Sequence, residues 1–328
     1  MSNRINRFIF LTAVSLCFAV ALAAGPVLAG EGYGNHYPGG NEDFMAGALP
    51  PAGTSVFINY LVDYNSTTLR ADNGSRQGIG SAQNPKVSFN LNVLINAFRY
   101  VKVTNIRLMG GDLIWHIIVP VGYQKVSMDA SPAVDLGTQA KTALGDIEAG
   151  IGIAWHPSKT FHHVGALDIV APTGAYDKND LSNLGRNYWS ISPLWAVTYL
   201  GDKDSPIPGF ELSAKMMYWF NTINTATSYT SGQEFAADYL IGQHVGNWAF
   251  GINGHYLYQT TKDKQYGSTA YDPFTGAQTG VQGTYFSAGP AISYNIPHGC
   301  LTFKYQRDLY AENRPEGDKF WLKWVFAF

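Results

Sequence analysis

The residues best suited to chemistry in this sequence are acids, lysines and histidines that share one face of alternating segments. Lys+Arg number 22 against 24 Asp+Glu, so the two signs nearly balance. Such side chains could line a selective polar passage, or pair with one another to fill a narrow interior, because a buried charge needs a partner. Both interpretations stay open. The predicted inward-facing set is Lys86, Asp112, His116, Asp146, Glu148, Glu211, Lys215, Asp238, His255, Lys304 and Lys323.

No recognisable catalytic or metal-binding motif accompanies these residues. The sequence has no phosphate-binding glycine loop, nucleophile elbow or metal-ligand spacing. His162 and His163 are adjacent, and a strand would turn them to opposite faces. For His116 and His255, a polar position on an interior wall is favoured over a catalytic role. We therefore predict no enzyme activity, catalytic residue, metal or cofactor.

Met217 and Trp219 are large apolar side chains on the same, otherwise polar face. They could contact a hydrophobic solute, or they could be isolated apolar residues of the interior without a functional role.

The elements that carry these residues show the period-two alternation of strands. In "GFELSAKMMYWF", Phe210, Leu212 and Ala214 alternate with Glu211 and Ser213. In "KVSFNLNVLINAF", the interpretation that turns Lys86 inward also turns the asparagines inward and the aliphatic residues outward. About twelve such segments occur. Each approaches the ~9–11 residues that cross a bilayer obliquely, which predicts an all-β, closed antiparallel transmembrane barrel.

The composition supports a membrane barrel. Charged residues make up 14% and aromatic residues 14% of the 328 residues, with 20 Tyr and 35 Gly. The mean hydropathy is only −0.09, because polar and apolar faces of strands average out. The net charge of −2 argues against nucleic acid as a partner.

Residues 1–29 have the pattern of a signal peptide. Arg4 and Arg7 precede the apolar stretch "FIFLTAVSLCFAVALAA", and Val27 and Ala29 provide small residues before the expected cleavage site. A membrane anchor is the less favoured alternative. Export together with strand patterning predicts the bacterial outer membrane as the location.

The predicted connections alternate in length. Long ones fall near 65–85, 127–143, 173–186, 222–232, 260–282 and 310–317, and short ones near 104–110, 156–160, 201–208, 244–247 and 296–299. Long extracellular loops and short periplasmic turns are typical of outer-membrane barrels, with both chain ends on the periplasmic side.

Residues 54–328 are predicted to form the barrel, and the final strand "KFWLKWVFAF" must close it. A terminal aromatic residue, Phe328, resembles the signal that the barrel assembly machinery reads. Residues 30–53 precede the first strand and are irregular, with Gly39, Gly40, Pro50 and Pro51. They could plug the lumen or lie in the periplasm. The plug candidates are Asn41, Glu42, Asp43 and Phe44.

Several segments resemble one family. "HYPGGNEDFMAGALPPAGT", "FINYLVDYNS", "IVPVGYQ", "APTGAYD", "NLGRNYWSISPLWAVTYL", "TSYTSGQEF" and "SAGPAISYNI" occur in this order. Together they are similar to the outer-membrane proteins grouped as a meta-pathway phenol-degradation family. The resemblance implies a barrel with an uptake role for aromatic or other hydrophobic compounds, but no particular substrate.

The leading hypothesis is therefore passive uptake of a small hydrophobic or aromatic compound through an outer-membrane channel. Expected partners are outer-membrane lipid, lipopolysaccharide, the barrel assembly machinery and the solute. Two alternatives are a barrel-embedded lipid-modifying hydrolase and a structural or adhesive barrel that acts through its loops.

Overall fold

The computed structural model describes residue 31 and residues 34–78, 87–130 and 134–328. The predicted signal peptide and Lys86 lie outside these residues. Among the described residues, no helix is long and apolar enough to cross a membrane. The strands are β1 (Ser55–Leu69), β2 (Ser88–Leu108), β3 (Gly111–Ala130), β4 (Val134–Leu144), β5 (Ile147–Trp155), β6 (Phe161–Ala171), β7 (Ser190–Leu200), β8 (Phe210–Asn221), β9 (Tyr229–Thr230), β10 (Glu234–Val245), β11 (Trp248–Gln259), β12 (Lys264–Gln265), β13 (Ser268–Thr269), β14 (Thr284–Ile296), β15 (Gly299–Glu312) and β16 (Pro315–Ala327).

Twelve strand crossings form one barrel. β4 and β5 pair with opposite ends of β3 and together make a single crossing, interrupted at Gly145 and Asp146. The two-residue strands β9, β12 and β13 form a separate small sheet among the loops. The other eleven crossings are each one strand, so the predicted count of about twelve is confirmed.

The barrel closes between its first and last strands. β1 pairs antiparallel with β16 on one side and with β2 on the other, and β2 pairs with β3. Ser55 and Phe328 extend this seam through two backbone hydrogen bonds, of 2.9 and 2.8 Å. Closure leaves the sheet without an unpaired edge, as a bilayer requires. The all-β closed antiparallel barrel is thus confirmed.

We name the two ends of the barrel by their connections. The turn end contains Ser55, Phe328 and the connections 109–110, 156–160, 201–209, 246–247 and 297–298. The loop end contains the connections 70–87, 131–133, 172–189, 222–233, 260–283 and 313–314. Two predicted long connections are wrong. Between β15 and β16 there are only Asn313 and Arg314, and most of 127–143 continues as strand in β3 and β4. Turn and loop ends still alternate because every crossing is antiparallel.

The closing strand β16 follows its alternation. Phe320, Leu322 and Trp324 are exposed on the outside of the barrel, while Lys319, Trp321 and Lys323 are buried inside. Phe328 is 64% exposed and stacks on Phe326 with ring centroids 5.9 Å apart. An apolar outer face in contact with lipid explains why the chain ends on aromatic residues.

The predicted facing of β2 is wrong. The aliphatic residues of this strand line the interior cavity, with Leu91 and Val93 among them. Leu94 and Phe98 are exposed on the outside. The asparagines share that outer face, where Asn92 Nδ2 donates to Asn65 Oδ1 at 2.5 Å. Outward polar groups remain tolerable there because they bond to each other across strands.

Candidate functional site

Residues 34–53, hereafter the N-terminal segment, run through the barrel lumen. At the turn end, the backbone N–H of Gly53 donates to Val103 O at 2.9 Å. Glu31, the first described residue, lies at the loop end, where its carboxylate accepts from Tyr176 Oη at 3.0 Å and Asn224 Nδ2 at 2.6 Å. Burial raises the pKa of Tyr176 to about 12, so it remains a donor at neutral pH. This part of the chain does not share the turn end with Phe328, contrary to expectation.

Asp43 anchors the middle of the N-terminal segment to β15 and β16. Its carboxylate pairs with Lys304, at 2.8 Å from Nζ, and with Lys323. Lys304 Nζ also donates to Gly40 O at 2.7 Å and Asn41 O at 2.9 Å. All three charged side chains are almost completely buried. One carboxylate shared by two lysines therefore fixes the segment across the lumen.

Asp238, on β10, holds the neighbouring stretch of the segment. Its carboxylate accepts from the backbone N–H groups of Gly40 at 2.8 Å and Glu42 at 3.0 Å, and from Tyr37 Oη. His255 Nδ1, on β11, lies 2.5 Å from the same carboxylate. Asp238 and His255 therefore position backbone and are not exposed to an open passage.

Asn41 and Glu42 have different partners. Tyr37 Oη contacts Asn41 Oδ1 within the segment. Glu42 Oε1 accepts from Arg99 Nη1, on β2, at 2.7 Å. Arg99 was not among the predicted site residues. Arg99 is an even number of residues from Leu91 and Val93 on β2, so its side chain lies on the same interior face as theirs.

The turn-end part of the segment is held by packing and by Glu211. Phe44 packs against Leu240, Ala249 and Ala291. Glu211 Oε1 accepts from Met45 N, and Glu211 Oε2 lies beside His244 Nε2, both at 2.5 Å. The segment therefore contacts the barrel wall near the turn end through apolar as well as polar groups.

Met217 and Trp219 contact the N-terminal segment. They form a buried cluster with Tyr37, Val170 and Ala236. The rings of Tyr37 and Trp219 are 5.9 Å apart between centroids. Tyr37 of the N-terminal segment thus packs against these two apolar residues.

His116, Glu148 and Asp168 form a buried group on adjacent strands. Their potential ligand atoms all lie within 4.8 Å of one another, and His116 Nε2 is 2.9 Å from Asp168 Oδ1. This geometry could hold a metal ion, which the sequence did not predict. Lys215 Nζ lies 3.9 Å from Asp168 Oδ2 and already supplies a positive charge there. A lysine-compensated acid pair accounts for the group without an ion.

A serine, a histidine and an aspartate also meet, in an arrangement that the sequence did not reveal. His36 Nδ1 lies 2.7 Å from Ser190 Oγ, and its Nε2 lies 2.9 Å from Asp146 Oδ2. The Ser190 hydroxyl donates to Asn221 Oδ1 at 2.6 Å. Asn221 Nδ2 donates to Gly232 O at 2.9 Å, which fixes the orientation of its amide.

Each member of this trio also has partners outside it. The Ser190 hydroxyl has one proton and two acceptors within reach, His36 Nδ1 and Asn221 Oδ1, while Asp146 accepts from His36 when Nε2 carries the proton. Asp146 further accepts from the backbone N–H groups of Gly174 at 2.8 Å and Arg186 at 2.7 Å. The trio thus joins the N-terminal segment to a loop.

Asp112 stands apart from the other predicted residues. It lies near the turn end, 3.8 Å from the exposed Arg107. No contact joins it to the buried lumenal charges among the described residues.

A cavity of about 530 Å³ lies between the N-terminal segment and the loop end. One side, which we call the apolar wall, consists of apolar interior side chains of β1, β2 and β3, next to the polar side chains of Tyr60, Tyr64 and Gln124. Its members are Val62, Phe89, Leu91, Val93, Ile95, Ala97, Ile118, Pro120, Val126 and Met128. The rest of the lining is largely polar and includes Glu148, Arg186, Asp308 and Lys319. The volume suits a small organic molecule.

Comparisons with known proteins agree with this architecture. The COG4313 outer membrane channel from Pseudomonas putida F1 superposes with a TM-score of 0.68 and 16% identity, over 85% of this chain and 97% of that chain. The translocator domain of the autotransporter NalP from Neisseria meningitidis gives 0.45 and 10%, over 86% and 91%. The first likeness shows the fold, and the second is too distant to add to it.

No curated protein sequence matches the chain. A protein family described as "Putative MetA-pathway of phenol degradation" matches residues 71–324, more than three quarters of the sequence. The closed barrel places the protein in the bacterial outer membrane. With that extent of match, the chain belongs to this family of outer-membrane β-barrel proteins.

Proposed function

We propose that this protein is an outer-membrane channel for the passive uptake of a small hydrophobic or aromatic compound. The observation that carries the proposal is the cavity of about 530 Å³ beside the apolar wall. A passage for hydrophilic solutes would have a polar wall at this position, because water and ions need polar contacts throughout their path. Moving an apolar solute from water to the apolar wall is instead favourable, because it removes apolar surface from water as hydrophobic burial does.

The N-terminal segment supports a gated passage. It crosses the lumen and is held by the buried pairs of Asp43 with Lys304 and Lys323. Solute that enters the cavity at the loop end therefore meets a closed turn end, and passage requires the segment to shift. The family description, which refers to phenol degradation, and the channel nature of the Pseudomonas putida F1 structure are consistent with this proposal.

Whole-cell uptake tests the proposal. A Gram-negative host with an intact lipopolysaccharide layer would be compared with and without the protein, and the initial rate of entry of labelled toluene would be measured. The proposal expects faster entry with the protein and little change for a sugar of similar size. Equal toluene rates at verified outer-membrane levels of the protein would refute it.

A further inference from the structure

Two histidines meet across the turn between β5 and β6. His156 directly follows β5, and His162 is the second residue of β6. Their Nδ1 atoms lie 2.8 Å apart, with the ring planes inclined at 64°. His156 is exposed and His162 is half-buried. Two imidazole nitrogens therefore face each other at a place that the solution at the turn end can reach.

The backbone holds these two side chains close together. Trp155 is opposite His163 in the β5–β6 register. His156 and His162 are the next residues toward the turn, so they extend the strand pairing by one position. Within the turn, Ser158 Oγ accepts from two backbone N–H groups at 3.3 and 3.0 Å. A ligand that needs both rings thus finds them already positioned, which lowers the entropic cost of binding.

The pair lies at the rim of the lumen, beside the N-terminal segment. Ala154 and Val164 are each two residues from one of the histidines and belong to a buried interior cluster. Leu49 of the segment packs against this cluster. Side chains two residues apart on a strand share a face. The histidine rings therefore lie on the interior side of the barrel wall, at its turn end.

We propose that His156 and His162 together bind a divalent transition-metal ion such as Zn²⁺, Cu²⁺ or Ni²⁺ through their Nδ1 atoms. Neutral imidazole is a preferred ligand of these ions, whereas Mg²⁺ and Ca²⁺ take oxygen ligands. Water completes the coordination. The site is independent of the proposed function, so its failure would leave that proposal standing.

The distance between the two nitrogens suits this role. Metal–imidazole bonds of about 2.0–2.1 Å place neighbouring ligand nitrogens about 2.9 Å apart in square-planar or octahedral geometry and about 3.3 Å apart in tetrahedral geometry. The rings, at 2.8 Å, need to separate only slightly. Without metal, one Nδ1–H donates to the other Nδ1. Transfer of that proton to Nε2 of the same neutral ring leaves a lone pair on both Nδ1 atoms.

His163 provides a matched control. It is adjacent to His162 but faces the outside of the barrel, where its ring stacks on Trp155 and contacts Trp195. The sequence offered His162 and His163 as neighbours, and their opposite facing excluded a shared ion. The partner of His162 is instead His156, across the turn.

Zinc titration tests the proposal. The untagged, full-length mature protein would be placed in lipid nanodiscs at about pH 7.5, where most histidines are neutral. Zn²⁺ would be titrated by isothermal calorimetry with excess Mg²⁺ present, and the signal of protein-free nanodiscs subtracted. We expect His156→Gln and His162→Gln each to weaken Zn²⁺ binding roughly tenfold or more, because a single imidazole cannot chelate. The double variant should bind little more weakly than either single one.

The His163→Gln variant should bind Zn²⁺ like the unmodified protein. Heat-dependent mobility would verify a folded barrel in every sample. Absence of saturable Zn²⁺ binding to the folded, unmodified protein would overturn the proposal. Equal affinity of the unmodified protein and His156→Gln would also overturn it, and would place the ion elsewhere, as at His116, Glu148 and Asp168. An equally large loss in His163→Gln would refute the pairing of His156 with His162.

Discussion

The two sides of the lumen differ in what they hold. β10, β15 and β16 present Asp238, Lys304 and Lys323, which bind the N-terminal segment. β1 to β3 present the apolar wall, of which a large part faces the cavity. The first side uses its polar groups to bind the segment. The second side also binds it, through Arg99 and Glu42, but mostly exposes hydrocarbon to an enclosed space.

In the proposed function, this difference separates two tasks, occlusion of the lumen and passage of an apolar solute. Occlusion requires strong, directional contacts, and buried ion pairs with hydrogen bonds give them. Passage of an apolar solute requires a surface that does not bind the solute too tightly, so that the solute can also leave. An interior that was polar all round would favour hydrophilic solutes, whereas an interior that was apolar all round could not hold the segment in place.

Loss of barrel closure should have the largest effect, because it destroys both sides at once. Phe328→Asp places a charge on a side chain that is 64% exposed at the closing seam. We expect a large decrease in correctly assembled protein, measured by heat-dependent mobility of outer-membrane fractions. Lys203→Ala, at an exposed position, is the matched control and should assemble normally. Normal assembly of Phe328→Asp would show that the terminus is not an assembly signal.

Removal of the central anchor should come next. Asp43→Ala leaves Lys304 and Lys323 as buried charges without their carboxylate. This should weaken the docking of the segment in the lumen by about 3–5 kcal/mol. We expect larger single-channel conductance in planar bilayers, because the segment no longer stays across the lumen. Asp112→Ala, which removes an acid near the turn end 3.8 Å from Arg107, provides the control. Unchanged conductance of Asp43→Ala would mean that the remaining contacts, such as those of Asp238 and Glu211, are enough to hold the segment.

Changes to the apolar wall should have a smaller, selective effect. Leu91→Asn puts an amide into the cavity, which should decrease toluene entry severalfold without raising conductance. Leu94→Asn, three residues further on the same strand but exposed outside, is its matched control. If both variants lower uptake equally, the interior wall has no special part in passage.

The barrel was largely predictable from sequence, because period-two patterns and an even strand count depend on local order along the chain. The facing of β2 was not, because alternation alone defines two faces without saying which one is inside. Arg99 contained the missing signal. It shares its face with Leu91 and Val93, and a charged residue is costly on a lipid-facing surface, so that face belongs inside.

The lumenal contacts were less predictable. The sequence singled out Asp43, Lys304 and Lys323 separately, but 261 residues separate the first two, and no local pattern links them. His36 and Ser190 are 154 residues apart and were not selected. The short connection at Asn313 and Arg314 was missed because the polar stretch around it reads as a loop, while its residues continue β15 and β16.

In the proposed function, occlusion and hydrophobic passage depend on different sides of the lumen. Ion conductance and toluene entry, measured for Asp43→Ala and Leu91→Asn at matched outer-membrane levels, separate the two. We expect Asp43→Ala to raise conductance while toluene entry persists, and Leu91→Asn to lower toluene entry while conductance stays at the level of the unmodified protein. Parallel changes of both quantities in both variants would contradict the claim.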